Sequence, residues 1–313
     1  MNTVPDLTTE ICGIRLKNPV IASSGTFGYG LEFADIVDLD ALGGFVVKGL
    51  SLDPIAGNAP PRVVETASGM LNAIGLQNVG VRSFAAEKLP KLAQLDTAVF
   101  ANVFGYTPND YVEVLRVLED ADGLAGYELN VSCPNTKHGG MQFASDPGLL
   151  GEVVRLARAA VSRRPLIVKL SPNVTDITVM ARAAEEAGAD AISLVNTFVG
   201  IAIDAAERRP LLGANFGGLS GPAIKPIALR MVYQAAHAVK LPVIGLGGIA
   251  TGRDVAEFLI CGARATQVGT ATFWDPETPQ RLIGELRRFL EKQKLGSARE
   301  LVDTLRLNDS SLC

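Results

Sequence analysis

Short apolar runs that end abruptly in small or polar residues recur along the chain, at 19–25, 43–49, 98–102, 127–130, 166–169, 191–196, 242–247 and 265–269. They are nearly continuous rather than alternating, which is the pattern of a strand covered on both faces and therefore of a parallel sheet. Between them, apolar positions return at helical spacing over 80–94, 109–120, 147–162, 175–187, 223–238, 252–260 and 277–291. Strands alternating with helices around the whole chain predict an α/β protein, a (β/α)8 TIM barrel in preference to an open doubly wound sheet. One domain spanning 1–313 absorbs the full length.

Punctuation supports these limits. Thr251 and Asp254 suit a helix start and Gly262 its end, while Asp146-Pro147 reads as a cap followed by proline in the first turn. Residues 7–18 read as a hairpin turning at Cys12-Gly13, a lid on the far end of the fold. The connections 51–78 and 198–221 are too long for simple turns, and such loops in a compact fold usually carry function.

Composition narrows the classes. The 313 residues are 48% hydrophobic with 32 glycines, and the net charge of −4 without Lys/Arg clusters argues against a nucleic-acid surface. The four cysteines, Cys12, Cys133, Cys261 and Cys313, show no CxxC pair and no metal-type or disulfide spacing, so a reduced, cytoplasmic setting is expected. The amino terminus lacks signal-peptide character, and no uncharged stretch approaches the roughly 18 residues of a membrane helix.

Chemistry is concentrated where the strands end. Ser24, Lys48, Asn102, Asn130, Lys169, Asn196, Gly247-Gly248 and Gly269-Thr270 all fall at or just past the carboxyl ends of their strands, the face that carries the active site in a barrel. Lys48 and Lys169 interrupt apolar strands, so each pairs with a carboxylate such as Glu128 or faces a bound anionic group or an electron-rich ring. Gly247-Gly248 after strand seven and Gly269-Thr270 after strand eight fit a phosphate held by backbone N–H groups. Residues 128–135, Glu-Leu-Asn-Val-Ser-Cys-Pro-Asn, present an amide, a thiol and a second amide to a ligand. His138 lies nearby in a glycine-flanked stretch that reads as a cover over the site more readily than as a catalytic partner of Cys133.

Four motifs in order, Asn-Ala-Ile-Gly-Leu-Gln-Asn at 72–78, the segment 128–135, Asn-Val-Thr-Asp-Ile at 173–177 and Gly-Leu-Ser-Gly-Pro-Ala-Ile-Lys-Pro at 218–226, resemble dihydroorotate dehydrogenase, specifically the class 1B catalytic subunit. The resemblance runs from about residue 7 to 290. It implies a TIM barrel that binds FMN and oxidises dihydroorotate to orotate in pyrimidine synthesis. Ser24, Lys48, Gly49, Asn102, Asn130, Lys169, Val195, Gly221, Gly247, Gly248, Gly269 and Thr270 match flavin contacts. Lys48, Asn72, Ala73, Ile74, Gly75, Leu76, Asn130, Asn196 and Thr197 match substrate contacts, and Cys133 matches the catalytic base. The resemblance further implies a partner subunit carrying FAD and a [2Fe-2S] cluster, two copies of each chain, and NAD as final acceptor.

The chemistry accounts for such residues. Making a double bond between adjacent ring carbons removes a hydride from one and a proton from the other, and a thiol of ordinary pKa near about 8.5 serves as base once the site or the pH favours thiolate. Asparagines suit an amide-rich substrate, Lys48 its carboxylate, and Lys169 negative charge on a reduced ring. Other readings left by the sequence are a flavoenzyme for another pyrimidine such as uracil, a tRNA dihydrouridine synthase, which lacks support for want of a basic surface, and a non-catalytic flavin scaffold for electron transfer.

Overall fold

A computed structural model describes residues 4–132 and 143–308. The eight apolar runs form the strands Val20–Ala22, Gly44–Leu50, Ala98–Val103, Gly126–Asn130, Leu166–Lys169, Ala191–Leu194, Val243–Leu246 and Ala265–Val268, numbered one to eight here. Each pairs in parallel with the next, and strand eight pairs with strand one through Gln267 opposite Ile21. The sheet therefore closes into a (β/α)8 barrel with no free edge.

Closure explains why the runs are apolar throughout. Ile21, Val46, Phe100, Ile167, Ala191, Ile244 and Ala265 form one buried cluster, whereas their strand neighbours Val20, Ala22, Phe45, Val47, Val99 and Ala101 join the larger core with the surrounding helices. Successive side chains serve the two faces in turn, and both faces are dry.

The hairpin prediction holds. Thr9–Ile11 and Ile14–Leu16 pair antiparallel about Cys12 (φ 51) and Gly13 (φ 79). Thr9 Oγ1 donates to the carbonyl of Arg264 at 2.9 Å, just ahead of strand eight, which places the hairpin at the amino ends of the strands. Its Ile11 and Leu16 are buried in the inner cluster, so the hairpin plugs that end of the barrel. Each such side chain contributes about 1.5–3 kcal/mol by leaving water.

The outer helices are Pro108–Glu119, Pro147–Ala160, Ile177–Glu186, Lys225–Ala238, Gly252–Ile260 and Thr278–Gln293, with a further helical segment over 81–92. Asp146 caps its helix by accepting from Leu149 N–H at 2.9 Å, and Thr251 and Asp254 form a reciprocal capping box. Two starts fall two residues later than the periodicity predicts. Asp176 takes the Thr178 N–H and so begins its helix at Ile177, and Pro222–Ile224 is a 3-10 turn ahead of Lys225. Between strands one and two, the described turns are the 3-10 segments Leu31–Phe33 and Leu39–Ala41 rather than an α-helix.

The two long connections meet. Phe198–Gly200, Gly217–Ser220, Gly69–Asn72 and Val63–Thr66 form a four-stranded antiparallel sheet in that order. Because these segments follow strands two and six, the sheet stands at the carboxyl face of the barrel. Among the described residues no helix is long and apolar enough to cross a membrane.

Candidate active site

The floor of the barrel mouth is polar. Asn102, Glu128, Lys169, Ser193 and Gln267, from strands three, four, five, six and eight, are all buried. Lys169 Nζ lies 3.2 Å from Glu128 Oε1 and 3.3 Å from Gln267 Oε1. Of the two readings of Lys169, the ion pair with Glu128 is therefore present. An ammonium has three N–H donors, and these two contacts leave one for a ligand.

Above this floor the strand-end amides join. Asn196 Nδ2 donates to Asn130 Oδ1 at 3.2 Å, and the same oxygen receives Ser132 N–H at 3.3 Å. Thr197 N–H closes on Asn196 Oδ1 at 2.8 Å. Asn173 ties in behind, donating to the Thr197 carbonyl at 3.0 Å and accepting from Val199 N–H at 3.0 Å. Tyr111 OH holds the Asn130 carbonyl at 3.0 Å. Val195 is buried, with its N–H on the Leu246 carbonyl at 2.8 Å.

The 72–76 segment reaches the same mouth through the upper sheet. Asn72 lies opposite Gly218 in the ladder, and a Cβ on Gly218 would stand 2.0 Å from Thr197 Oγ1. Only glycine lets the sheet approach Thr197 so closely. Ala73 and Ile74 are held by Asn58, whose Nδ2 donates to the Ala73 carbonyl at 3.0 Å and whose N–H donates to Ile74 at 3.0 Å. Gly75 (φ 76) and Leu76 (φ 58) turn the chain there.

Glycines shape the opposite side. Gly221, Gly247 and Gly248 have φ of 93, 128 and 77, a region glycine adopts without steric cost. A Cβ on Gly248 would meet the Gly221 carbonyl at 2.8 Å and Lys225 Cβ at 2.8 Å. Gly269 precedes the 3-10 turn Thr270–Phe273, and Thr270 Oγ1 donates to Ser220 Oγ at 2.8 Å, joining the turn to the upper sheet. Lys225 is engaged elsewhere, in ion pairs with Asp254 at 2.5 Å and Glu257 at 2.8 Å.

Lys48 and Gly49 lie at the carboxyl end of strand two, with a Cβ on Gly49 only 2.9 Å from Asn102 Oδ1. Lys48 is half-buried and makes no ion pair among the described residues, Glu32 being paired with Lys88 at 3.8 Å. Burial lowers its pKa from the ordinary 10.5; Glu32 opposes the shift and Arg62 adds to it. A desolvated cation with no ion-pair partner among the described residues is prepared for an anionic ligand. Ser24 is buried just past strand one.

Cys133 and His138 lie outside the described residues. The structure brings together Lys48, Gly49, Asn102, Asn130, Lys169, Asn196, Thr197 and the 72–76 segment at the carboxyl face, with the glycine turns after strands seven and eight beside them. Sequence reasoning passed over Ser193 and Gln267. Their signal was the one that exposed Lys169, a polar residue inside a buried strand.

Over residues 6–290 the chain matches the family described as dihydroorotate dehydrogenase. It is 68% identical over 302 residues to a Solibacter usitatus protein provisionally named dihydroorotate dehydrogenase A (fumarate), covering 96% of this chain and 99% of that one. It is 54% identical over 303 residues to the Citrifermentans bemidjiense protein named dihydroorotate dehydrogenase B (NAD(+)), catalytic subunit, covering 97% and 99%. A Pelobacter propionicus protein of the same name is 54% identical over 301 residues, covering 96% and 99%. With a family match along nearly its whole length and relatives at more than half identity, this chain belongs to the dihydroorotate dehydrogenase family.

Proposed function

We propose that this chain oxidises dihydroorotate to orotate on a bound FMN and hands the electrons to a partner subunit. The observation that carries the reading is the Asn130–Asn196 amide pair, 3.2 Å apart and set at the strand ends beside Lys169, which lies opposite Asn130 in the ladder. Amide donors and acceptors suit the imide edges of the substrate, and the half-buried Lys48 suits its carboxylate.

The residues fit FMN. Gly247, Gly248, Gly269 and Thr270, with Gly221 adjoining, offer N–H groups for the phosphate. We assign Lys169, Asn102, Gly49, Ser24 and Val195 to the ring, and Lys169, with two contacts among the described residues, has a third N–H to offer a ring heteroatom. Bound there, FMN would supply the two-electron hydride acceptor. The chain's own part is to orient the substrate through Asn72–Leu76, Asn130, Asn196 and Thr197, and to take the proton. Cys133, three residues past Asn130, is the base we assign, its thiolate receiving the proton as the ring double bond forms.

Electrons then need an exit, and the sequence carries no strict GxGxxG dinucleotide fingerprint. The relatives named catalytic subunit of dihydroorotate dehydrogenase B (NAD(+)) support a second subunit. We assign it FAD and a [2Fe-2S] cluster, two copies of each chain, and NAD as acceptor. The Solibacter relative favours a second reading in which fumarate takes the electrons directly.

The test mixes the purified chain with dihydroorotate and offers NAD or fumarate. NAD reduction that appears only after the partner is added supports the first reading, and rapid turnover with fumarate by the chain alone supports the second. Heat release of a flavin other than FMN, or of none, would overturn both.

A further inference from the structure

We infer that Glu128 is a positioning residue that offsets the charge of Lys169 beneath the flavin and so holds the flavin's reduction potential down. The inference rests on the reading of the barrel mouth as an FMN site.

Glu128 is 0% exposed, yet both carboxylate oxygens are fully engaged. Oε1 accepts from Asn102 Nδ2 at 2.8 Å and from Lys169 Nζ at 3.2 Å. Oε2 accepts from Ser193 Oγ at 2.9 Å and from Gln267 Nε2. Four other strands of the barrel thus each commit a residue to one carboxylate. Two of those residues, Asn102 and Lys169, are assigned to the flavin, so Glu128 sits one hydrogen bond behind the ring.

A need for stability does not explain this cluster. Desolvating two charges costs as much as their attraction returns, and apolar side chains of similar volume stabilise a core equally well or better. The adjoining inward cluster, Ile21, Val46, Phe100, Ile167 and Ile244 among others, is built that way. An ion pair placed at the mouth instead sets an electrostatic field. The Lys169 ammonium favours a negatively charged reduced ring, and the Glu128 carboxylate behind it cancels part of that preference. A flavin that must pass its electrons onward is served by such an offset, since a lone ammonium would retain them.

The experiment measures the midpoint potential of the flavin in the holoenzyme and in the Glu128→Gln, Glu128→Asp and Lys169→Met variants. Glu128→Gln should raise it, favouring reduced over oxidised flavin by about tenfold or more at fixed potential. Lys169→Met should lower it, and Glu128→Asp should stay nearer to the parent than Glu128→Gln. A carboxylate that only held the barrel together would leave the potential unmoved. An unmoved potential in Glu128→Gln, or one lowered as in Lys169→Met, overturns the inference. Should Glu128→Gln fail to retain flavin, the reduced-minus-oxidised infrared difference spectrum of the unaltered holoenzyme decides. Paired carboxylate stretches that shift on reduction support the inference, and their absence overturns it. Absence of FMN from the unaltered protein would instead remove the functional reading itself.

Discussion

Asn196 Nδ2 donates to Asn130 Oδ1 at 3.2 Å, so two strand-end amides 66 residues apart act as one surface. The same Asn130 oxygen holds Ser132 N–H at 3.3 Å, which fixes the chain immediately ahead of Cys133. Asn196→Ala should weaken orotate binding by about 1–3 kcal/mol, since one donor is lost and Asn130 is left short of a partner. Titrating orotate against the flavin spectrum measures it, and an unchanged dissociation constant would show that the pair does not face the ligand.

Cys133→Ser should slow flavin reduction by dihydroorotate on the order of a hundredfold or more near neutrality, with partial recovery at high pH, because a hydroxyl holds its proton far more tightly than a thiol. Stopped-flow absorbance under anaerobic conditions reads the rate. A variant as fast as the parent at pH 7 removes Cys133 from the mechanism.

Lys48 supplies a pH dependence whose sign is fixed. An anion binds the protonated ammonium, and burial lowers the pKa of Lys48 from 10.5. Orotate affinity should therefore fall with rising pH, beginning below the range of an ordinary lysine. Lys48→Ala should weaken binding by about 2–5 kcal/mol and abolish that alkaline fall. If the variant keeps the same pH profile, the titrating group is another.

The pair Lys225–Asp254 anchors the helix behind Gly248. Burial pushes the Asp254 carboxyl up, but hydrogen bonds from Lys225, Ala250 and Thr251 outweigh it and hold the pKa below 3.8. Burial likewise pushes Lys225 down, and its bonds to Asp254 and Glu257 carry it above 10.5. A depressed acid stabilises the fold above its unfolded pKa and loses that as pH falls; a raised base stabilises below its unfolded pKa and loses that as pH rises. The contribution is thus complete between the two ordinary values and declines outside them. Lys225→Met should lower unfolding stability at pH 7 by about 1–3 kcal/mol, with a smaller loss at pH 3. Denaturant melts at both pH values check this, and an equal loss at each would contradict the pair's role.

How much was legible follows from periodicity. Asn102 and Asn130 stand out as amides at the carboxyl ends of apolar strands, and Lys169 as a cation inside one. Ser193 and Gln267 carry the same meaning inside their strands, but a single polar residue in a four-residue run marks no period and looks like ordinary variation. The upper sheet was hidden for a related reason. Gly217–Ser220 and Gly69–Asn72 are short and rich in small residues, and their pairing joins segments far apart in sequence. The helix starts at Ile177, two residues past Thr175, because the Asp176 side chain takes the Thr178 N–H and caps it there. Lys225 entered the sequence reading only as part of the 218–226 motif, and the fold brings Asp254 and Glu257 to it.

The most direct test of the whole account is anaerobic addition of dihydroorotate to the purified yellow protein while its visible absorbance is followed. One equivalent of dihydroorotate per flavin should bleach it promptly, with orotate formed in equal amount. A flavin that stays oxidised with dihydroorotate, or that bleaches with dihydrouracil instead, would contradict it.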